Sequence, residues 1–113
     1  MKKVALGIDV GTTNVLAMLL DESGGVIGKV LEKFKLHYPA PGRVEQNPET
    51  MWAITIDAVH NVLSTHNISP ADVGAIGITG QRSTIVIWEL KKQLLMLKIW
   101  HQTNSWLKKH QLV

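Results

Sequence analysis

The sequence predicts an α/β fold built on a mixed β-sheet, and three observations support this. Apolar segments of strand length, separated by turn residues, follow one another before residue 37. One well-capped amphipathic segment of helical length occupies residues 48–66. A further apolar strand follows that helix. Consecutive strands predict an antiparallel meander, while a strand, a helix and another strand predict a right-handed crossover and a parallel pair.

The first three strands are assigned from their apolar content and the turns between them. Residues 4–9 (VALGID) form a short buried strand. Residues 15–20 (VLAMLL) are apolar throughout, which predicts a central strand covered on both faces. A hairpin turn at 22–25 leads to a more exposed third strand over 26–36, where apolar and polar residues roughly alternate. Residues 37–46 contain two prolines and a glycine and are expected to form an irregular loop.

The helix carries clear start signals. Asn47 is a good N-cap, and Pro48 suits the first helical position. The helix is expected to end near residues 66–67. Apolar residues at spacings of four, three and four are predicted to form its buried stripe, with Trp52 as a core anchor: Trp52, Ile56, Val59 and Leu63.

Three further elements complete the predicted order. Ser69 caps at most one helical turn, and residues 73–79 (VGAIGIT) form the strand that pairs in parallel with the meander. Residues 84–88 form a fifth strand, for which residues 94–100 provide the hairpin partner.

Composition places the chain among globular proteins and excludes several classes of site. With 113 residues the chain can form one domain, and 45% of them are hydrophobic against 19% charged. The absence of cysteine excludes disulfides, thiolate metal sites and cysteine nucleophiles. No signal peptide or membrane-spanning apolar run is recognisable, so a cytoplasmic protein without a membrane partner is expected.

The net charge of +3 is unevenly distributed. Residues 1–88 carry a net charge of −1, and residues 89–113 carry +4. A basic tail can contact nucleic acid or anionic lipid, or it can simply be a solvated end. Because the lysines are scattered and no nucleic-acid motif accompanies them, we predict no nucleic-acid partner.

The segment 7–14 (GIDVGTTN) combines the residue types that a phosphate and its metal require. Gly11 permits close backbone approach and a positive φ, and the hydroxyls of Thr12 and Thr13 add donors beside Asn14. Asp9 can hold Mg²⁺, through water because Mg²⁺ dehydrates reluctantly. An ordinary hairpin would use the same residue types, so the residues alone leave both interpretations open.

These residues also resemble a known motif. Segment 7–14 is similar to the first phosphate loop of the actin-like ATPase superfamily, which includes Hsp70 chaperones, actin-like filament proteins and several sugar kinases. Residues 41–48 (PGRVEQNP), followed by Trp52, resemble the PGxVEQ(D/N)P…W signature of FGGY carbohydrate kinases. Residues 76–84 resemble the substrate-site strand and loop of that family. The three motifs occur in the family's order within residues 4–88.

The resemblance implies two ribonuclease-H-like domains with ATP and substrate in the cleft between them. Residues 1–88 would be the core of the amino-terminal domain and residues 89–113 its divergent basic and apolar tail, so the domain is incomplete relative to the family. The implied activity is ATP-dependent phosphorylation of a hydroxyl on a sugar or polyol of the glycerol or pentulose class. The family's catalytic aspartate lies beyond residue 113, so no catalytic residue is assigned here and the chain alone is expected to be inactive.

The same resemblance implies two groups of site residues. The first group would face the phosphates of ATP, with Asp9 holding Mg²⁺ through water: Asp9, Gly11, Thr12, Thr13 and Asn14. The second group would face the sugar or polyol: Gln81, Arg82, Ser83 and Trp100. Taken alone, Arg82 could equally be a surface arginine and Trp100 a core or interface residue.

The chain departs from the family pattern at several positions. Leu16 stands where the family usually carries a basic residue, and Ser83 stands where glycerol kinases carry an acid. In the segment after Trp100, Gln102 and Asn104 replace an acid and an arginine. Two alternatives therefore stay open: another actin-like ATPase of the chaperone type, or a non-catalytic module. Exposed apolar surface on such a domain predicts a homodimer or larger oligomer.

Overall fold

A computed structural model describes residues 3–87 and 96–99 of the chain. The chain divides into two compact units, one formed by residues 1–35 and 49–81 and the other by residues 36–48 and 82–113. The elements follow in the order β1 (Val4–Val10), β2 (Asn14–Leu20), β3 (Val26–Lys33), β4 (Val44–Gln46), α1 (Pro48–Thr65), a 3₁₀ turn (Pro70–Asp72), β5 (Val73–Gly80), β6 (Thr84–Ile87) and β7 (Met96–Ile99).

The described strands of the first unit form one mixed sheet in the order β3-β2-β1-β5. Strands β1, β2 and β3 are antiparallel neighbours, which confirms the predicted meander. Strand β5 pairs in parallel with β1 after the helix, which confirms the predicted crossover. Strand β2 lies between β1 and β3, as its continuous apolar sequence predicted.

One face of this sheet packs against α1 and holds the core of the first unit. Its fully or nearly fully buried members are Val4, Leu6, Val15, Ala17, Leu19, Ala58, Val62 and Leu63. Because side chains alternate across a strand, the intervening residues of β2 lie on the other face. Leu16 and Met18 on that face are only half-buried, so the expected cover on both faces of β2 is found on one face only.

Helix α1 begins at Pro48, directly after Asn47, and ends at Thr65, close to the predicted boundaries. The predicted buried stripe is wrong in part. Leu63 is buried as predicted, but the other buried residues lie one position before the predicted ones, and Ile56 and Val59 are half-buried. The buried residues are Met51, Thr55, Ala58, Val62 and Leu63. Trp52 is 68% exposed, because a shift of one residue turns a side chain by about 100° around the helix. Thr55 fits in the buried stripe since its hydroxyl donates to the Met51 carbonyl at 2.7 Å.

The end of α1 and the following turn are fixed by local hydrogen bonds. The ring nitrogen Nδ1 of His66 lies 2.9 Å from the carbonyl oxygen of Val62 and donates to it. Asn67 takes a left-handed φ of 53°, a common way to end a helix. The Ser69 hydroxyl then accepts from the amide of Ala71 at 3.3 Å, which confirms the predicted cap.

The described strands of the second unit form a small antiparallel sheet in the order β4-β7-β6. Pairing of β6 with β7 confirms the predicted hairpin. The irregular loop predicted over residues 37–46 is wrong in part, because residues 44–46 form the buried strand β4. His37 and Glu45 also exchange backbone hydrogen bonds of 2.9 and 2.8 Å, and β3 ends at Lys33 rather than residue 36. A three-residue strand shows no alternation, and its partner β7 lies far along the chain, so local pattern could not reveal it.

Candidate functional site

The carboxyl ends of the neighbouring strands β1 and β5 lie side by side at one end of the first unit's sheet. The two strands are parallel, with Asp9 opposite Thr79 and Val10 opposite Gly80. The segments that leave these strands therefore start side by side, although about 70 residues separate them in sequence. The predicted phosphate loop and the predicted substrate residue Gln81 therefore lie together at this end of the sheet.

A direct hydrogen bond joins the two segments. The side-chain nitrogen Nε2 of Gln81 donates to the carbonyl oxygen of Gly11 at 2.8 Å, and Gln81 is half-buried. The amide of Gly11 donates in turn to the carbonyl of Asn14 at 2.9 Å, which closes the loop between β1 and β2. Both backbone groups of Gly11 are therefore held in place.

The loop has a second anchor on the side of β3. The amide of Phe34 donates to the carbonyl oxygen of Thr13 at 2.8 Å. The Asn14 side chain donates to the Thr13 hydroxyl oxygen at 3.2 Å. The carbonyl groups of Gly11 and Thr13, on either side of Thr12 in the sequence, are thus each held by a neighbouring segment.

Glycine is needed at position 11 because another part of the loop passes close to it, and not because of its backbone angle. A Cβ atom at this position would lie 3.0 Å from the carbonyl oxygen of Asn14, closer than side chains normally come. Gly24 and Gly42 are the described glycines with a positive φ, so Gly11 does not use the positive φ that a glycine permits. The tight loop closure accounts for the glycine instead.

Asp9 lies at the end of β1 with its side chain exposed. It borders an open cavity of about 370 Å³ on the sheet. The residues lining this cavity are Gly7, Ile8, Asp9, Leu16, Met18, Gly77, Ile78 and Thr79. Most of them alternate with core residues, which places the cavity on the sheet face opposite α1.

The wall of the cavity beside Asp9 is mainly apolar. Leu16 is the cross-strand partner of Asp9 in β2, and Met18 is the partner of Gly7. Within the described ranges, no cluster of three or more histidine, aspartate or glutamate residues could hold a metal directly. Asp9 offers one exposed carboxylate, a group that can hold Mg²⁺ through the water shell of the ion.

Comparison with known proteins identifies the family of the chain. The sequence model described as "FGGY family of carbohydrate kinases, N-terminal domain" matches residues 4–111. The chain belongs to the FGGY family of carbohydrate kinases. A glycerol kinase from Listeria monocytogenes is 46% identical to this FGGY domain over 88 residues, which cover 78% of this chain and 18% of the relative.

Solved structures give the same fold. The crystal structure of Plasmodium falciparum glycerol kinase with ADP has a TM-score of 0.81 at 20% identity and covers 98% of this chain and 23% of that one. The xylulose kinase from Rhodospirillum rubrum has a TM-score of 0.77 at 21% identity, covering 97% of this chain and 23% of that one. These neighbours confirm the actin-like ATPase fold and show that this chain corresponds to part of it.

The other predicted substrate residues of this FGGY domain are Arg82, Ser83 and Trp100. Arg82 and Ser83 follow Gln81 directly in the chain, start the second segment of the second unit and have exposed side chains. Trp100, Gln102 and Asn104 lie outside the described residues.

In the described ranges no helix is long and apolar enough to cross a membrane.

Sequence reasoning missed the contact between Gln81 and the phosphate loop. The signal was available in principle. Once β1 and β5 are aligned as parallel neighbours, the residue after β5 falls beside the residue after β1. Register between strands far apart in sequence is not visible in a local pattern, so the two motifs were assigned to separate ligands.

Proposed function

We propose that this domain supplies phosphate-contacting and substrate-contacting residues to a cytoplasmic ATP-dependent kinase that phosphorylates a hydroxyl of a sugar or polyol. The observation that carries the proposal is the contact of loop 9–14 with Gln81 at the carboxyl ends of β1 and β5. Curated relatives that bear the name glycerol kinase favour a substrate of the glycerol or pentulose class. The chain spans about 18% of the length of those relatives.

The loop residues fit a nucleotide phosphate bound with Mg²⁺. Asp9 would hold Mg²⁺ through water, and the hydroxyls of Thr12 and Thr13 would donate to phosphate oxygens beside Asn14. Glycine at position 11 permits the tight closure of this turn, since a Cβ there would lie 3.0 Å from the Asn14 carbonyl oxygen. Bound ATP would supply the phosphoryl group, and Mg²⁺ would neutralise its charge.

The segment after β5 fits recognition of hydroxyl groups. Arg82 carries several N–H donors on a planar group, and Ser83 can both donate and accept. Both are exposed, as residues that contact a small polar ligand must be. Trp100 would provide an apolar wall for the sugar or polyol.

The proposed role of Asp9 predicts that replacing it has opposite effects on ATP binding in the presence and in the absence of Mg²⁺. In the presence of Mg²⁺, Asp9→Asn is expected to weaken ATP binding by about tenfold or more, because the ion loses its carboxylate partner. Without Mg²⁺, the same variant should bind ATP as well as the unmodified chain or better, because a repulsive charge beside the phosphates is gone. Titration calorimetry with and without Mg²⁺ measures both effects.

Asp57→Asn is the matched control, since Asp57 is an exposed carboxylate on α1 and its replacement changes the net charge equally. This variant should bind MgATP as the unmodified chain does. Equal weakening by both substitutions would reduce the effect to net charge and would count against the assignment of Asp9.

The 113-residue chain alone is expected to show no sugar-dependent or polyol-dependent ATP turnover. Phosphoryl transfer requires a base positioned at the acceptor hydroxyl. Asp57 lies on the exposed surface of α1, and Asp72 lies in the 3₁₀ turn, so neither is placed as that base. Incubation with MgATP and glycerol or a pentulose, with a heat-killed control, measures the product.

Sugar phosphate above the control level would overturn the expected inactivity. The chaperone alternative makes a different prediction in the same assay. ATP hydrolysis stimulated by peptides and unaffected by sugars or polyols would favour that alternative over the kinase.

We also propose that the isolated chain self-associates through the edge strand β5. Among the described strands, β5 and β3 form the two edges of the sheet. Strand β3 carries Lys29, Glu32 and Lys33, whereas β5 (VGAIGITG) has no charged residue. Ile76 and Ile78 on β5 are 61% and 73% exposed. An uncharged, apolar edge is the kind that pairs with a second strand, so a second copy of this chain is the proposed partner.

A further inference from the structure

We infer that Gln81 is a positioning residue for the phosphate loop, which it holds through the carbonyl of Gly11. This inference rests on the proposed function, because it concerns the same loop. It gives Gln81 a role different from direct contact with the sugar or polyol. The supporting observation is the 2.8 Å hydrogen bond from Gln81 Nε2 to the Gly11 carbonyl oxygen.

The chemistry of the pair fixes which end of the amide faces the loop. A carbonyl oxygen only accepts, so the Gln81 nitrogen and not its oxygen must lie against Gly11. The side chain is half-buried, which protects this bond from competition by water. The parallel register brings Gly80 opposite Val10, and a Cβ at Gly80 would lie 3.3 Å from the Val10 carbonyl oxygen. The two strand ends are therefore close enough for one side chain to span them.

Holding the Gly11 carbonyl also sets the direction of the next amide. A peptide group is planar and trans, so its C=O and N–H point in opposite directions. With the Gly11 carbonyl directed at Gln81, the N–H of Thr12 must point away from Gln81. If this peptide rotated, the loop would present a carbonyl dipole where an amide dipole now stands, and the electrostatic attraction for a phosphate would fall.

The two anchors of the loop differ in what a substitution can remove. The bond from Phe34 to the Thr13 carbonyl comes from a backbone amide and survives any change of side chain except proline. The bond to Gly11 comes from the Gln81 side chain, so a substitution of Gln81 can remove it. Gln81 therefore controls the Gly11–Thr12 peptide, while the rest of the loop keeps its anchor on β3.

The first experiment detects the bond without any ligand. In the isotopically labelled chain, NMR should show a scalar coupling through the hydrogen bond between the Gln81 side-chain nitrogen and the Gly11 carbonyl carbon. Gln81→Met keeps a similar volume and removes the donor, so the Thr12 amide signal should move and broaden while signals of α1 stay unchanged. An unchanged Thr12 signal in this variant would overturn the positioning role.

Gln81→Glu supplies a readout that a purely structural role would not produce. An ionised glutamate presents only acceptors to the Gly11 carbonyl, whereas a protonated glutamic acid can donate to it as glutamine does. The Thr12 signal of this variant should therefore return toward its position in the unmodified chain as the pH falls through the protonation range of the glutamate. Gln81→Met is measured in parallel, and its Thr12 signal should show no such return.

The second experiment measures phosphate binding with inorganic tripolyphosphate as the probe. Gln81→Met is expected to raise the dissociation constant about tenfold, the effect of losing one well-placed hydrogen bond. If the unmodified chain binds the probe and Gln81→Met binds it equally well, the positioning role is overturned while the proposed phosphate site stands. If the unmodified chain fails to bind the probe although the coupling is present, the proposed phosphate site fails, and the role of Gln81 in phosphate binding fails with it.

Discussion

Replacing Leu19 by alanine is expected to lower the free energy of unfolding by about 2–5 kcal/mol. Leu19 is completely buried and belongs to the core between the sheet and α1. Removal of its methyl groups leaves a cavity whose neighbours, Ala17 and Val62 among them, are themselves fixed by packing. A small domain has only about 5–15 kcal/mol of stability, so this one change should remove much of it. Urea unfolding followed by far-ultraviolet circular dichroism gives the value.

Leu31→Ala is the matched control for this measurement. Leu31 lies on the neighbouring strand β3 and is 56% exposed, so the same chemical change removes little buried surface. We expect a change within about 0.5 kcal/mol. Similar losses for the two variants would mean that the core does not lie between this sheet and α1.

Replacing Ile78 by lysine is expected to weaken self-association of the chain by about a hundredfold or more. Ile78 is 73% exposed on β5, the described sheet edge that lacks charged residues. In a dimer formed through this edge the lysine would carry an unpaired ammonium group into an apolar contact, and inward or edge lysines are a known way to block strand pairing. Sedimentation velocity over a range of concentrations measures the association constant.

Leu31→Lys introduces the same charge on the opposite edge of the sheet. Because β3 already carries charged residues, this variant should associate as the unmodified chain does. A chain that is monomeric at micromolar concentration before any substitution would contradict the proposed dimer. Association that is weakened equally by both lysines would place the contact somewhere other than β5.

Most of the fold of the first unit follows from local sequence. The apolar runs of β1 and β2 and the Asn47-Pro48 start of α1 each act over a few residues, and the structure places these elements near the predicted boundaries. The parallel pairing of β5 follows from the order of elements and the handedness of crossovers. The family motifs were recognisable for the same reason, since each lies within a short continuous segment.

The buried face of α1 could not be settled by apolar spacing. Trp52 is the largest apolar residue of the helix, yet the buried stripe begins at Met51 and Trp52 is 68% exposed. Thr55 belongs to that stripe because its hydroxyl is satisfied within the helix, a detail that composition does not show. Which side of a helix is buried depends on where the sheet lies, and that depends on the whole fold.

The sequence by itself determined the family and the order of strands and helix in the first unit, and it predicts that segment 7–14 contacts phosphate. Only the tertiary structure decided the pairing of β4 with β7 and the contact of Gln81 with Gly11. Both contacts join residues that are distant in the chain, and their geometry depends on strand register. Local patterns determine which elements form, because propensity and periodicity act over a few residues. Long-range contacts form only when those elements pack, and they place Gln81 against the loop between β1 and β2.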